Sequence, residues 1–276
     1  MDWKTFGHEN IKNLLSLQLG SGRLSHAYLF KGPEGIGKKM LALEFAGRIL
    51  QAENPNIHPD FSLLDGNEEI TIEAGRQFME GLNFKPFAGA KKVAIINNAQ
   101  LLNTQSGNAL LKTLEEPSPS TILILVSSGQ NILPTIVSRC QTFSFNAFTK
   151  NQLVEFAGQK SLRLPDGAVN VSYGKISRLL SFTDVEVFAQ EKKIIEKLAQ
   201  LQQSSRAERL LAIPEFAELE TAQIENLVTS WLFFQRNELK NNPRKFTTAQ
   251  EMLSTLFQLQ TNKNKKLILQ NLFLKI

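Results

Sequence analysis

The sequence predicts a parallel, doubly wound α/β domain followed by an all-helical remainder, and three observations predict it. A glycine-rich loop, Gly32-Pro33-Glu34-Gly35-Ile36-Gly37-Lys38-Lys39, stands between a short apolar strand and an amphipathic helix. That is the setting a phosphate-binding P-loop requires. Strand and helix patterns alternate as far as Ser127, and the strands read as near-continuous apolar runs, which marks strands covered on both faces. After Phe148 helical periodicity takes over.

Each element has its own reason. Residues 9–20 carry apolar side chains at helical spacing (Ile11, Leu14, Leu15, Leu17, Leu19) and stop at Gly20 and Gly22. His26 to Phe30 is a short apolar strand entering the glycine-rich loop, and Met40 to Leu50 is an amphipathic helix. Phe61 to Leu64 reads as a strand, Ile70 to Phe84 as a helix, and Lys85-Pro86-Phe87-Ala88-Gly89 as a loop. Lys92 to Ile96 is a buried strand that delivers Asn97 and Asn98. Leu101 to Glu116 is helical and is stopped by Pro117 and Pro119. Thr121 to Ser127 is another buried strand, and Leu133 to Val137 is helical. Thr149 to Phe182 reads as short helices interrupted by Pro165 and Gly167. Longer amphipathic stretches follow at Phe188–Leu201, Ile224–Leu239 and Thr247–Gln260, with a basic tail at Lys263, Lys265 and Lys266. These shifts divide the chain into an α/β domain over 1–148, a small helical domain over 149–183 and a helical C-terminal domain over 184–276.

Bulk properties narrow the function classes. The 276 residues are 42% hydrophobic and 21% charged, with a net charge of +5. This suits a soluble globular protein, and the charge permits nucleic-acid contact without demanding it. A single cysteine, Cys140, excludes an intrachain disulfide and a cysteine-rich zinc site. A lone cysteine beside a strand is expected to be a buried apolar residue rather than a nucleophile. His26 and His58 have no partner at metal-ligand spacing. The N-terminus lacks the apolar core of a signal peptide, and the apolar run Ile122 to Val126 is too short to span a bilayer. A cytoplasmic protein without membrane contact is the expectation.

The glycine-rich loop departs from a working one at its last position. A P-loop of the form G-x-x-x-x-G-K-S/T folds its N–H groups around phosphates, extends its Lys to them, and holds Mg²⁺ with its hydroxyl. Gly32, Gly35, Gly37 and Lys38 match the cradle, but Lys39 replaces the hydroxyl. A cation repels Mg²⁺ rather than binding it. The strand that should supply a metal-holding carboxylate and a second acid supplies Asn97 and Asn98. An amide carries no charge and is no base at neutral pH. Two parts of the hydrolytic machinery are therefore missing. Weak nucleotide binding without Mg²⁺ stays within reach of Gly32, Gly35, Gly37, Lys38 and the helix N-terminus behind them.

Three further stretches carry a resemblance. Ser25-His26-Ala27-Tyr28-Leu29-Phe30 leads into the glycine-rich loop. Asn108-Ala109-Leu110-Leu111-Lys112-Thr113-Leu114-Glu115-Glu116-Pro117 follows, and then Ser138-Arg139-Cys140. Together they resemble the bacterial clamp-loader AAA+ family of DNA polymerase III, strongly over residues 5–145 and beyond that only in helical character. The resemblance implies a P-loop AAA+ domain, a small helical lid and a C-terminal helical collar used for oligomerisation. In that family gamma/tau subunits hydrolyse ATP. Delta-prime subunits keep the fold with a degraded ATP site and lend a neighbour the arginine of the Ser-Arg-Cys motif. The defects at Lys39, Asn97 and Asn98 point to the second class. Arg139 then becomes the catalytic residue, acting in trans as an arginine finger. Gly174-Lys175-Ile176-Ser177 aligns with a Gly-Ser-x-Arg helix of the hydrolysing members, with Ser177 at the Arg position and Arg178 one step away. The expected partners are gamma/tau and delta subunits, with the sliding clamp and primed DNA reached through the complex. No cofactor is expected to be required. The four-cysteine zinc module of many relatives is replaced by Asn54-Pro55-Asn56-Ile57-His58-Pro59-Asp60, so no zinc is expected. Ser127 and Ser128 stand where hydrolysing relatives sense the γ-phosphate and read as a vestige. Two alternatives stay open: an ATP-hydrolysing subunit of the gamma/tau type, and a nucleotide-regulated adaptor outside replication.

Overall fold

The computed structural model describes residues 2–66, 72–82, 84–128, 132–221, 223–225, 227–229, 231–232, 245–259 and 264–275. The chain forms two compact units. One is Met1–Phe156 with Gly174–Ser177, and the other is Ala157–Tyr173 with Arg178–Ile276.

The first unit is built on β1 (Ala27–Lys31), β2 (Phe61–Asp65), β3 (Lys92–Asn97), β4 (Thr121–Ser127) and β5 (Gln141–Ser144). All strands pair in parallel in the order β2-β3-β4-β1-β5. Helices α1 (Glu9–Ser21), α2 (Lys38–Leu50), α3 (Ile72–Leu82), α4 (Thr104–Glu115) and α5 (Pro134–Val137) connect them or precede them. Every residue of β4 is buried, as its Thr-Ile-Leu-Ile-Leu-Val-Ser run requires. The period-2 alternation of a strand divides β1 between two layers. Ala27 and Leu29 join Met79, Leu82, Leu110 and Leu114 from α3 and α4 in one core. Tyr28 packs edge-on against Phe45 of α2 at 5.2 Å. Helices on both faces are the doubly wound α/β arrangement expected. Each buried Leu or Phe contributes about 1.5–3 kcal/mol.

Some details differ from expectation. The helix expected from Leu101 begins three residues later. Ala99–Leu101 forms a 3₁₀ turn, and Asn103 caps α4 by accepting the Ser106 N–H at 2.8 Å. Strand β5 had no sequence signal, because only Phe143 of its four residues is buried. An edge strand of that length shows no apolar run.

Two carboxylates organise loops around this core. Glu44 on α2 accepts from Lys4 N, Thr5 N and Thr5 Oγ1 at 2.7–3.0 Å, so the N-terminal segment lies along the helix. Arg48 completes the clamp with its guanidinium 4.2 Å over the Trp3 ring. Buried Asp60 accepts the N–H groups of Phe87, Ala88 and Gly89. Burial raises its pKa, but those three bonds outweigh burial and hold the carboxyl below its ordinary value.

Helices α6 (Lys150–Gln159), α7 (Ala168–Val171) and α8 (Ile176–Ser181) follow in sequence. The second unit then continues through α9 (Val185–Gln203), α10 (Arg206–Ala217), α11 (Lys245–Leu259) and α12 (Lys265–Lys275). Asp184 caps α9, accepting from Glu186 N at 2.9 Å. Ser205 and Glu208 form a reciprocal capping box on α10, a helix that the apolar periodicity alone did not single out. Trp231, Met252, Phe216 and Phe273 fill the core, the last two edge-on at 5.4 Å. Part of the expected 224–239 helix, and Lys263 of the basic tail, lie outside the described residues. Lys265 donates to the Leu219 carbonyl at 2.9 Å, so this tail lysine serves the fold. Among the described residues no helix is long and apolar enough to cross a membrane.

Candidate functional site

In a parallel sheet all carboxyl ends lie at one edge, and ligands bind there where the strand order reverses. Here the glycine-rich loop leaves β1, Asp65 ends β2, Asn97 ends β3 and Ser127 ends β4. Register pairs Asp65 with Asn97, Ile96 with Leu125 and Lys31 with Ser127, so the four ends lie within one residue of level.

The loop keeps the shape its glycines promise. A Cβ at Gly32 would lie 2.3 Å from the Phe145 carbonyl oxygen. Gly35 has φ +76°, and a Cβ there would fall 2.0 Å from Ser177 Oγ. The Ser177 N–H donates to the Gly35 carbonyl at 3.0 Å. Helix α2 starts at Lys38 without a side-chain cap, so its first N–H groups still point at the loop.

Side chains of this chain occupy the positions around it. Lys38 is buried and donates to the Pro33 carbonyl of its own loop. Burial lowers its pKa to about 8, a shift opposed by Glu34 and reinforced by Lys175. Lys39 forms an ion pair with Asp65. Asn97 Nδ2 donates to the second oxygen of that carboxylate at 2.6 Å. Burial raises the Asp65 pKa, but the bonds from Lys39 and Asn97 outweigh it and the net shift is downward. Asn98 donates to the Gly66 carbonyl at 2.9 Å. Gln100 and Ser128 share two hydrogen bonds, at 2.9 and 3.1 Å. The ring of His8 meets the Ile36 carbonyl at 2.8 Å through Nε2. Burial lowers its pKa, aided by Lys12 and Lys38 and opposed by the Ile36 bond and Glu9.

These residues do not fit Mg²⁺. An ammonium sits where the hydroxyl ligand should be, its carboxylate neighbour is already neutralised by it, and the β3 end offers only amides. Among the described residues no three His, Cys, Asp or Glu side chains gather as a metal site. Asp65 is the site residue that sequence reasoning missed, because the strand was read as ending at Leu64. Arg178 does not extend the site's charge. It is buried in its own unit, ion-paired with Glu191 and 4.7 Å over the Tyr173 ring.

Arg139 lies apart from the loop, just after α5. Its NH1 donates to the Thr135 carbonyl at 3.0 Å and reaches Ser138 Oγ at 3.4 Å, and its NH2 donates to Glu115 Oε1 at 2.7 Å. The arginine side chain keeps 36% of its surface exposed. Neighbouring Cys140 is half-buried, and burial pushes its thiol pKa up to about 12, so it is no nucleophile.

Comparison with known proteins agrees with this geometry. Residues 7–149 match a family described as DNA polymerase III, delta subunit. A tau/gamma subunit of DNA polymerase III from Haemophilus influenzae is 30% identical over 220 residues, covering 69% of this chain and 32% of that protein. A delta' subunit of DNA polymerase III from Pseudomonas aeruginosa is 35% identical over 141 residues, covering 44% of this chain and 43% of that protein. The chain thus spans less than half the length of these curated relatives. Among solved structures, a DNA polymerase III gamma-subunit-related protein from Thermotoga maritima shares the fold, with a TM-score of 0.51 and 19% identity over 94% of this chain and 97% of that one. A RuvB variant from the same organism does so with a TM-score of 0.55 and 17% identity over 82% and 87%. The match over half of the chain, on the P-loop sheet just described, makes this protein a member of the DNA polymerase III delta subunit family.

Proposed function

We propose that the chain is a delta-prime-like subunit of the DNA polymerase III clamp loader. It does not hydrolyse ATP itself and lends Arg139 to an ATP site on a neighbouring subunit. The observation that carries the reading is the Lys39–Asp65 ion pair in the place of a metal and its ligands. Hydrolysis needs charge neutralisation and an oriented water at the γ-phosphate. Among the described residues the carboxylate beside the loop is taken up by Lys39, and the β3 end offers only amides. In this reading residues 149–183 act as the lid and residues 184–276 as the collar that joins gamma/tau and delta subunits. The assembled ring places the sliding clamp on primed DNA in the cytoplasm. Arg139 is a partly exposed cation just after the short helix α5, and an arginine supplied in trans raises such rates by about 10³–10⁵.

The test is ATP turnover by the chain alone and by a loader reconstituted with gamma/tau and delta subunits, native or with Arg139→Ala. A silent chain and a sharp drop in the complex are expected. Turnover by the isolated chain would favour a gamma/tau-type ATPase, the reading supported by the longer matches to tau/gamma subunits. Failure to assemble would favour an adaptor outside replication.

A further inference from the structure

Arg139 is held by groups from two helices. Glu115 is the last residue of α4, and Thr135 lies in α5. A guanidinium has five N–H donors in a rigid plane. Two from NH1 go to the Thr135 carbonyl and Ser138 Oγ, and one from NH2 goes to Glu115 Oε1. Among the described residues the Nε–H and one N–H of NH2 meet no acceptor. The plane is thereby fixed at the surface with a donor pair still to fill.

We propose that Glu115 is a positioning residue for Arg139. Its carboxylate fixes the guanidinium so that the remaining Nε–H and NH2 donors meet a phosphate oxygen of nucleotide bound to the neighbouring subunit. The proposal rests on the arginine-donor reading above. Two properties of the pair support it. Both side chains are about half exposed or less (51% for Glu115, 36% for Arg139), so the contact is open to a partner rather than sealed in the core. The Arg139 side chain is long and rich in rotamers, so fixing it before the partner arrives lowers the ordering cost paid on binding. The alternative role of Glu115 is a surface ion pair that only steadies the fold, and the two roles make different predictions.

The experiment measures ATP turnover in the reconstituted loader with Glu115→Ala, Glu115→Gln, Arg139→Ala and the double variant Glu115→Ala/Arg139→Ala. Thermal unfolding and assembly are measured alongside. Glu115→Ala is expected to lower kcat by roughly three- to thirtyfold, the range of coupling between contacting residues, with little change in KM for ATP. Glu115→Gln keeps an oxygen acceptor for NH2 and is expected to recover most of the rate. The double variant is expected to be no slower than Arg139→Ala alone. Loss with Arg139→Ala but none with Glu115→Ala overturns the positioning role and leaves the arginine finger standing. A faster complex with Glu115→Ala, or a rate loss matched by lost stability or assembly, also overturns it. Indifference to Arg139→Ala overturns the finger and the positioning role together.

Discussion

Lys39 at the start of α2 is ion-paired with Asp65 at the end of β2, while Asn97 at the end of β3 donates to the same carboxylate at 2.6 Å. The ammonium and the carboxylate satisfy each other where a hydrolytic P-loop would share a divalent cation. Both side chains are partly exposed to water (40% and 31%), so the pair is worth only about 0.2–1 kcal/mol. Lys39→Thr is therefore expected to change unfolding free energy by less than about 1 kcal/mol. It should also fail to produce Mg²⁺-dependent phosphate release, because Asn97 and Asn98 still provide no acid. Phosphate release above background by Lys39→Thr would sink this account.

Lys38 makes stability depend on pH in a defined direction. Its folded pKa is about 8 against an ordinary 10.5. Between those values the unfolded chain binds more protons, so stability rises with pH through that window and is lowest below it. The difference in unfolding free energy between the native chain and Lys38→Met is expected to climb by about 3 kcal/mol across it. Urea melts at pH 8 and pH 10.5 measure this, and a flat difference would show that the burial of Lys38 has little cost.

Gly35 tolerates no side chain for two separable reasons. Its φ of +76° strains an L-residue by about 1–2 kcal/mol, and a Cβ would meet Ser177 Oγ. Gly35→Ala is expected to cost about 2–3 kcal/mol. Ser177→Ala in the same chain should restore the collision part and leave the backbone part, a coupling of at least about 0.5 kcal/mol. Strict additivity of the two substitutions would mean that Ser177 does not lie against the loop.

Asp60 holds the loop before β3 through three backbone N–H groups, so its loss strands buried donors. Asp60→Ala is expected to cost about 3 kcal/mol or more, and Asp60→Asn less. Because its pKa is held below the ordinary 3.8, its contribution is present above that value and is lost as pH falls through the lower folded one. Acid unfolding at higher pH in Asp60→Asn, followed by circular dichroism, checks the sign.

Much of this was legible in the chain itself. The apolar runs at Val93–Ile96 and Thr121–Ser127 declare strands covered on both faces. The register of Gly32, Gly37 and Lys38 declares the loop, and Lys39, Asn97 and Asn98 mark where it departs from the P-loop pattern. Such features are local, since periodicity and residue type record how one element is buried or what one position can donate. Tertiary structure alone decided that Asp65 neutralises Lys39, that Ser177 closes on Gly35 and that Glu115 holds Arg139. It also decided that Gln141–Ser144 completes the sheet. Those pairs lie far apart in sequence. They meet because the fold, with its strand order β2-β3-β4-β1-β5, brings together segments that the sequence separates, and no local pattern encodes that adjacency.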